Sequence, residues 1–188
     1  MKKGWLRSSH KTKFPFSFYT NDIGVTVMKF IKKVRNFLRL EMNQKLLLLE
    51  AFYYLGYGRI FKYLPFSKVA PTLGEYMKET SFSSDTYNNV ILRNISNALY
   101  IMSRYTFWES ECLVKAVAGM KMLERRQIES TLYLGTAKDQ NGKLIAHAWL
   151  RSGPIYVTGS ERMAEFTVVG KFSKELNVKK NGRGNNGR

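Results

Sequence analysis

The chain has 188 residues, of which 44% are hydrophobic and 14% aromatic; this is enough apolar side chain to bury one core, and it excludes a wholly disordered protein. It carries 31 Lys and Arg against 14 Asp and Glu, a net charge of +17 that by itself suggests a nucleic acid or an anionic membrane as partner. Most of this charge lies at the two ends, since residues 1–40 hold ten basic residues and one acidic residue and residues 171–188 hold six and one. Because the middle of the chain is close to neutral, we expect no nucleic-acid partner.

A single cysteine, Cys112, rules out an intramolecular disulfide and favours a reducing compartment, so we expect a cytoplasmic protein. The first residues are basic but lack the apolar run and small-residue cleavage site of a signal peptide. The most apolar window, residues 46–66, contains Glu50, Arg59 and Lys62. Three charges in about 20 residues are unlike a transmembrane helix.

The first part of the chain changes character at Met28. Residues 1–27 show no sustained period and are interpreted as an irregular basic extension. From Met28 onward apolar residues recur at i, i+3, i+4 and i+7, which predicts a basic amphipathic helix, and the pattern resumes over residues 43–64. A helix of this kind either packs against a partner domain or lies on a membrane surface, and both alternatives stay open.

A further helix is predicted over residues 86–105, with Asp85 as its cap. It completes a helical region that we expect to span residues 28–105. Gly56 and Gly58 stand inside the preceding helical pattern without any nucleotide-binding motif around them, and they are interpreted as a helix break.

The second half of the chain combines one helix with a meander of strands. Apolar spacing predicts a helix from Glu111 to Arg126, with Ser110 as N-cap. After it the period changes to two, which predicts strands over residues 131–136, 143–150, 155–158 and 165–172. We expect a core at residues 106–172 and a disordered basic tail at residues 173–188.

Cys112 and His147 are the candidate catalytic residues. At a helix start, unpaired backbone N–H groups and the helix dipole favour the thiolate form that a nucleophilic cysteine needs. His147 lies in an apolar strand, on the same face as Ile145 and Trp149. Each residue also has a purely structural interpretation, because a lone cysteine is often a small buried hydrophobe and a strand histidine is often satisfied by a backbone carbonyl.

The order of the two residues adds weight to the catalytic interpretation. A cysteine at a helix start, followed by a histidine on the second strand of a hairpin, is the order used by papain-like and transglutaminase-like folds. The imidazole of His147 would take the proton of the Cys112 thiol, and the Cys112 backbone N–H would donate to the oxyanion.

Three segments carry a resemblance to a known family. They read Glu-Cys-Leu-Val-Lys-Ala at 111–116, Thr-Leu-Tyr-Leu-Gly at 131–135 and Ala-His-Ala-Trp-Leu at 146–150. Together they resemble the lasso peptide maturation B proteins, which are transglutaminase-like leader peptidases. The resemblance is close over residues 100–172, and the Leu-rich stretch after Met28 resembles the N-terminal region of that family.

The resemblance implies an α+β fold, in which an N-terminal helical region packs against a papain-like or transglutaminase-like core with its nucleophile helix on a small antiparallel sheet. It implies a cysteine peptidase with Cys112 as nucleophile and His147 as base, acting on a lasso precursor peptide without a cofactor. It further implies a separate leader-recognition protein and an ATP-dependent macrolactam cyclase as partners.

The chain departs from the family pattern at the third catalytic residue. The family places an Asp about a dozen residues after the histidine, but residues 151–170 contain neither Asp nor Asn. Glu161 is the candidate replacement, and a hydroxyl of Tyr156 or Thr158, or a backbone carbonyl, is the alternative group to orient His147. The missing Asp also leaves a second function open, a catalytically impaired protein of the same fold that binds the precursor or acts as a scaffold.

Overall fold

The computed structural model of the protein describes residues 28, 31–32, 34–35, 37–83 and 86–175. These residues fall into two compact units that divide between Met42 and Asn43. In the first unit residues 28, 31–32, 34–35 and 37–39 are helical, as the apolar spacing predicts, and we refer to them as α1. The predicted extension at residues 1–27, the predicted cap Asp85 and residues 176–188 of the predicted tail lie outside the described residues.

The second unit contains four further α-helices and two short 3₁₀ helices. The α-helices are α2 (Met42–Tyr63), α3 (Phe66–Val69), α4 (Thr86–Ser103) and α5 (Cys112–Arg125), and the 3₁₀ helices are Ala70–Leu73 and Ser160–Glu165. The prediction of Ser110 as N-cap of α5 is wrong, because the extended residue Glu111 holds that position without a side-chain capping bond. The Ser110 hydroxyl instead lies 2.8 Å from the Thr106 hydroxyl.

One antiparallel sheet of five strands forms the other layer. Its strands are β1 (Glu75–Tyr76), β2 (Ser130–Lys138), β3 (Leu144–Ser152), β4 (Ile155–Thr158) and β5 (Thr167–Lys174), in the order β1-β5-β2-β3-β4. The predicted α+β class is confirmed. Two details differ from prediction: β1 lies inside residues 28–105, which we expected to be helical, and β5 runs to Lys174, so the predicted tail begins within a strand that buries Ser173.

α5 lies at the centre of the second unit. It packs on β2, β3 and β4 with one side and on α4 with another, and eight of its side chains and backbone positions are buried. Gly119 makes this close packing feasible, since a Cβ there would stand 2.8 Å from Cδ2 of Leu150 and 3.2 Å from Cδ1 of Leu99. The helix that begins at Cys112 is therefore fixed firmly against the strand that carries His147.

The interpretation of Gly56 and Gly58 as a helix break is wrong, because both lie within the continuous helix α2. A Cβ on Gly58 would stand 2.7 Å from the carbonyl oxygen of Val114. Gly58 is thus a point of close approach between α2 and α5. The same atom on Gly56 would make ordinary contact, at 3.6 Å, with the ring of Trp108.

A fully buried arginine organises the sheet face that α5 does not cover. Arg151 donates from Nε to the Tyr133 hydroxyl (2.8 Å), from Nη2 to the Thr80 carbonyl (2.9 Å) and from Nη1 to the Gly153 carbonyl (2.7 Å). Its guanidinium also lies 3.6 Å from the ring centre of Phe82. Because side chains alternate along a strand, this is the face of β3 that also carries His147.

Candidate active site

Cys112 is the first residue of α5, and its side chain is partly exposed. The first turn of an α-helix leaves its backbone N–H groups without intrahelical acceptors. The thiol therefore stands beside backbone donors and at the positive end of the helix dipole, the environment in which a thiolate and a developing oxyanion are both stabilised.

His147 lies on β3 opposite Gly135 of β2. Its ring stacks on Trp149, with centroids 5.8 Å apart, and packs at 5.0 Å against Phe166. Ile145 packs against the same aromatic cluster, so the predicted shared face of these strand residues is confirmed. The imidazole is therefore partly buried against the rings of Trp149 and Phe166.

Gly135 of β2 leaves the space in which the rings of Trp149 and Phe166 pack. A Cβ on Gly135 would stand 2.8 Å from Cζ3 of Trp149 and 2.9 Å from Cβ of Phe166. The pairing of β2 with β5 also shifts register between Leu134 and Gly135. The Trp149 ring therefore fills the space beside His147 that a side chain at residue 135 would need.

A backbone carbonyl orients the imidazole. Nε2 of His147 lies 2.8 Å from the carbonyl oxygen of Gly159, which directly follows β4. A carbonyl oxygen only accepts, so Nε2 must carry the proton and the neutral ring keeps its lone pair on Nδ1. In the described part of the chain Nδ1 has no hydrogen-bond partner. The ring is thus set in the tautomer that can take up a proton at Nδ1.

Glu161 does not contact this ring nitrogen. It stands in the 3₁₀ helix Ser160–Glu165, which directs its carboxylate toward α4, where the Tyr100 hydroxyl donates to it. The hydroxyls of Tyr156 and Thr158 do not bond to His147 either. Of the orienting groups that the sequence left open, a backbone carbonyl bonds to Nε2 of His147. Glu161 bonds to Tyr100 instead.

Tyr100 connects Glu161 to the Gly159 peptide. The backbone N–H of Gly159 donates to the Tyr100 hydroxyl at 3.3 Å, and that hydroxyl donates to Glu161. Burial, and then the bond to Glu161, raises the pKa of Tyr100 to about 12. Burial alone would raise the pKa of the Glu161 carboxyl, but the Tyr100 hydrogen bond and, more weakly, the charge of Lys115 bring it below its usual value. At neutral pH the phenol stays a donor and the carboxylate stays charged.

Cys112 and His147 lie on different elements: α5 packs on the face of β3 that carries Leu150, and His147 projects from the opposite face. Gly119 faces Leu150, and one turn before it the Lys115 ammonium lies 4.8 Å from the ring centre of Tyr100, which bonds the Gly159 peptide. Among the described residues no hydrogen bond joins Cys112 Sγ to His147 directly.

Sequence reasoning did not assign Gly159 or Tyr100 to the site. Gly159 follows His147 by twelve residues, the spacing at which the family resemblance places its Asp, so spacing was the available signal. Tyr100 belongs to the apolar pattern of α4 and carried no signal that separates it from a core aromatic.

Over the part of the chain that the structure describes, no three His, Cys, Asp or Glu residues cluster as a metal site would require. None of the described helices is both long and apolar enough to cross a membrane.

A helix that starts at a cysteine and packs on an antiparallel sheet bearing an oriented histidine defines the class of papain-like cysteine hydrolase folds. Residues 62–171, more than half of the chain, match the family described as the transglutaminase-like superfamily, and the protein belongs to that superfamily. No curated protein and no solved structure matches the chain.

Proposed function

We propose that the protein is a cysteine peptidase that removes the leader from a ribosomally synthesised lasso peptide precursor. The observation that carries the peptidase activity is the hydrogen bond from His147 Nε2 to Gly159, which leaves Nδ1 as a base in a superfamily whose chemistry uses a cysteine and a histidine. The choice of a lasso precursor rests on the resemblance of the segments around Cys112, Gly135 and His147 to the lasso maturation B proteins.

The proposed reaction is acyl transfer through a thioester. His147 Nδ1 takes the thiol proton of Cys112, and the thiolate attacks the carbonyl carbon of the last leader residue. The oxyanion that forms accepts a hydrogen bond from the Cys112 backbone N–H. The imidazolium then gives its proton to the departing amine, the C–N bond breaks, and the leader remains as a thioester on Cys112. Water, deprotonated by His147, releases the leader carboxylate.

The products fit the partners that we propose. The core peptide departs with a free α-amine, the group that an ATP-dependent macrolactam cyclase needs in order to close a ring. A separate recognition protein would present the leader. These partners are part of the proposal and follow from the family resemblance.

The test is to incubate the protein with the precursor and the leader-recognition protein encoded beside its gene, and to identify the products by mass spectrometry. We expect the parent to release an intact leader and a core peptide with a new N-terminus. Cys112→Ala and His147→Ala should each reduce the rate by several orders of magnitude, because nucleophile and base act as a unit. His10→Ala, which changes the only other histidine, is the matched control and should cleave like the parent.

Residual cleavage above about a tenth of the parent rate in either active-site variant would refute the assignment of these residues. The alternative function, precursor binding without catalysis, would show as binding of the precursor with no cleavage by the parent. Iodoacetamide separates the two at about pH 6, where an activated Cys112 reacts quickly and an inert thiol does not.

A further inference from the structure

We infer that Tyr100 and Glu161 are positioning residues that act on His147 through the backbone of Gly159. This inference rests on the proposed function in assigning His147 as the base. The Gly159 carbonyl accepts from His147 Nε2, and the N–H of the same residue donates to Tyr100, whose hydroxyl donates in turn to Glu161. The carboxylate therefore orients the imidazole through two intermediate groups.

The Gly159 backbone is fixed closely enough to transmit this orientation. Its φ of 75° lies in the left-handed region, and a Cβ there would stand 2.5 Å from the Ala148 carbonyl oxygen and 3.0 Å from Cβ of Trp149. Gly159 therefore packs directly against β3 at Ala148 and Trp149, the two residues that follow His147. Tyr100 holds the N–H of Gly159, and the close contact with β3 limits rotation about its Cα–C bond, so the carbonyl has little freedom to turn away from the ring.

Glu161 also supplies the negative charge that an imidazolium requires. A neutral carbonyl orients the ring but compensates its positive charge less than a carboxylate does. Glu161 lies close enough to His147 for the charge of the imidazolium to help lower the pKa of the Glu161 carboxyl. Tyr100 separates the two groups, so the carboxylate stabilises the protonated ring from a distance without taking its proton.

The charged and titratable groups around His147 lie on three elements. They are Tyr100 on α4, Lys115 on α5, and Glu161, Arg162 and Glu165 on the 3₁₀ helix. Glu165 also interacts electrostatically with His147, but its carboxylate is held by Arg162 at 2.6 Å and has no bond to Tyr100 or Gly159. It is therefore the matched control for a charge that acts only through space.

The experiment is long-range ¹H–¹⁵N correlation of the histidine rings of the full-length protein at mildly alkaline pH. Only two histidines are present, and His10→Ala assigns the signals of His147. In the parent we expect the neutral ring as the Nε2–H tautomer. The variants are Tyr100→Phe, Glu161→Gln, the double variant of both, and Glu165→Gln.

Glu161→Gln and Tyr100→Phe should each populate the second tautomer, because the Gly159 carbonyl is then held less firmly against Nε2. The double variant should populate the second tautomer no more than the more affected single variant does, and Glu165→Gln should keep the Nε2–H tautomer of the parent. The phenyl ring preserves the packing at residue 100, so a loss of folding is not expected to obscure the result.

The inference is overturned if Glu165→Gln populates the second tautomer as far as Glu161→Gln does, if the two single effects add in the double variant, or if none of the variants changes the tautomer. The spectra do not depend on a peptide substrate. If the parent cleaves no precursor but the variants change the His147 tautomer as expected, the proposed function alone is refuted. If the parent is an active peptidase and the variants leave the tautomer unchanged, only the positioning role is refuted.

Discussion

Gly159 provides the third element of the site without a side chain. Where the family resemblance expects an Asp, this chain has a left-handed glycine whose carbonyl takes the hydrogen bond of His147. A backbone carbonyl fixes the tautomer as well as a carboxylate does, and it cannot be lost by protonation in the physiological range. The remaining task of an acid, compensating charge, falls to Glu161 in the proposal above.

Gly159→Ala should both destabilise the protein and disorder the imidazole. A residue with a Cβ is strained in the left-handed region, and this Cβ would also collide with the Ala148 carbonyl oxygen. Together the two effects should lower the free energy of unfolding by about 2–4 kcal/mol. Gly142→Ala is the matched control, since Gly142 has the same φ of 75° but nothing within 4 Å of its Cβ position.

Chemical denaturation of the two variants separates the contributions. Gly142→Ala should lose only the backbone term, about 1–2 kcal/mol, and should keep the parent rate of Cys112 alkylation. Equal losses of stability in the two variants would show that the contact with β3 is unimportant.

At the scale of elements, the close approach of α2 to α5 fixes where the helix that begins at Cys112 lies. Gly58 allows the backbone of α2 to approach the Val114 carbonyl, two residues after Cys112. Glu50 of α2 supports the far end of α5, where its carboxylate accepts from Arg126 at 2.8 and 2.6 Å. α5 is therefore held by α2 near both of its ends.

Alanine at the two glycines of α2 should have opposite effects. Gly58→Ala places a Cβ 2.7 Å from a backbone oxygen and should cost about 1–3 kcal/mol, because the helices must move apart. Gly56→Ala makes ordinary contact with Trp108 and should stabilise the protein by about 0.5–1 kcal/mol through helix propensity alone. Thermal unfolding measures both, and a stabilising Gly58→Ala would contradict the close approach.

The elements that sequence periodicity predicts are those whose pattern is local. The 3.6-residue spacing gives α4 and α5 within two residues, and the alternation along β3 places His147 beside Trp149. The interpretation of Gly58 failed because the reason for that glycine is Val114, 56 positions along the chain, which no local pattern reveals. β1 was missed for a similar reason, since two residues acquire strand geometry only by pairing with β5.

For the whole molecule, carboxylates with lowered pKa link stability to pH. The hydrogen bond from Lys171 lowers the pKa of Glu79 against the effect of burial, and the hydrogen bonds of Lys121 and Lys174 do the same for Glu124. The unfolded chain binds protons to these groups at higher pH than the folded chain does. Their contribution is therefore complete above about pH 4.5 and is lost as the pH falls through the folded values.

Glu79→Gln should reduce this acid sensitivity. Between about pH 7 and pH 3 the variant should lose less unfolding free energy than the parent, by up to about 1 kcal/mol, because one linked carboxylate is gone. Urea denaturation at several pH values measures the difference. Lys171→Met removes the same 2.5 Å ion pair from the other side and should flatten the same pH range, whereas an unchanged slope in both variants would contradict the linkage.

The strand order carries a consequence for synthesis on the ribosome. β5 is the last strand made, yet it lies between β1 and β2, where Ser173 pairs with both Glu75 and Thr131. The segment from α5 through β4, with Cys112, His147 and Gly159, leaves the ribosome as one contiguous stretch before β5 emerges. During that interval the edge of β2 that later pairs with β5 has no partner and is open to pairing with other chains. The nascent protein thus holds its proposed catalytic groups before its sheet is complete, and a chain that stops before Thr167 should form aggregates.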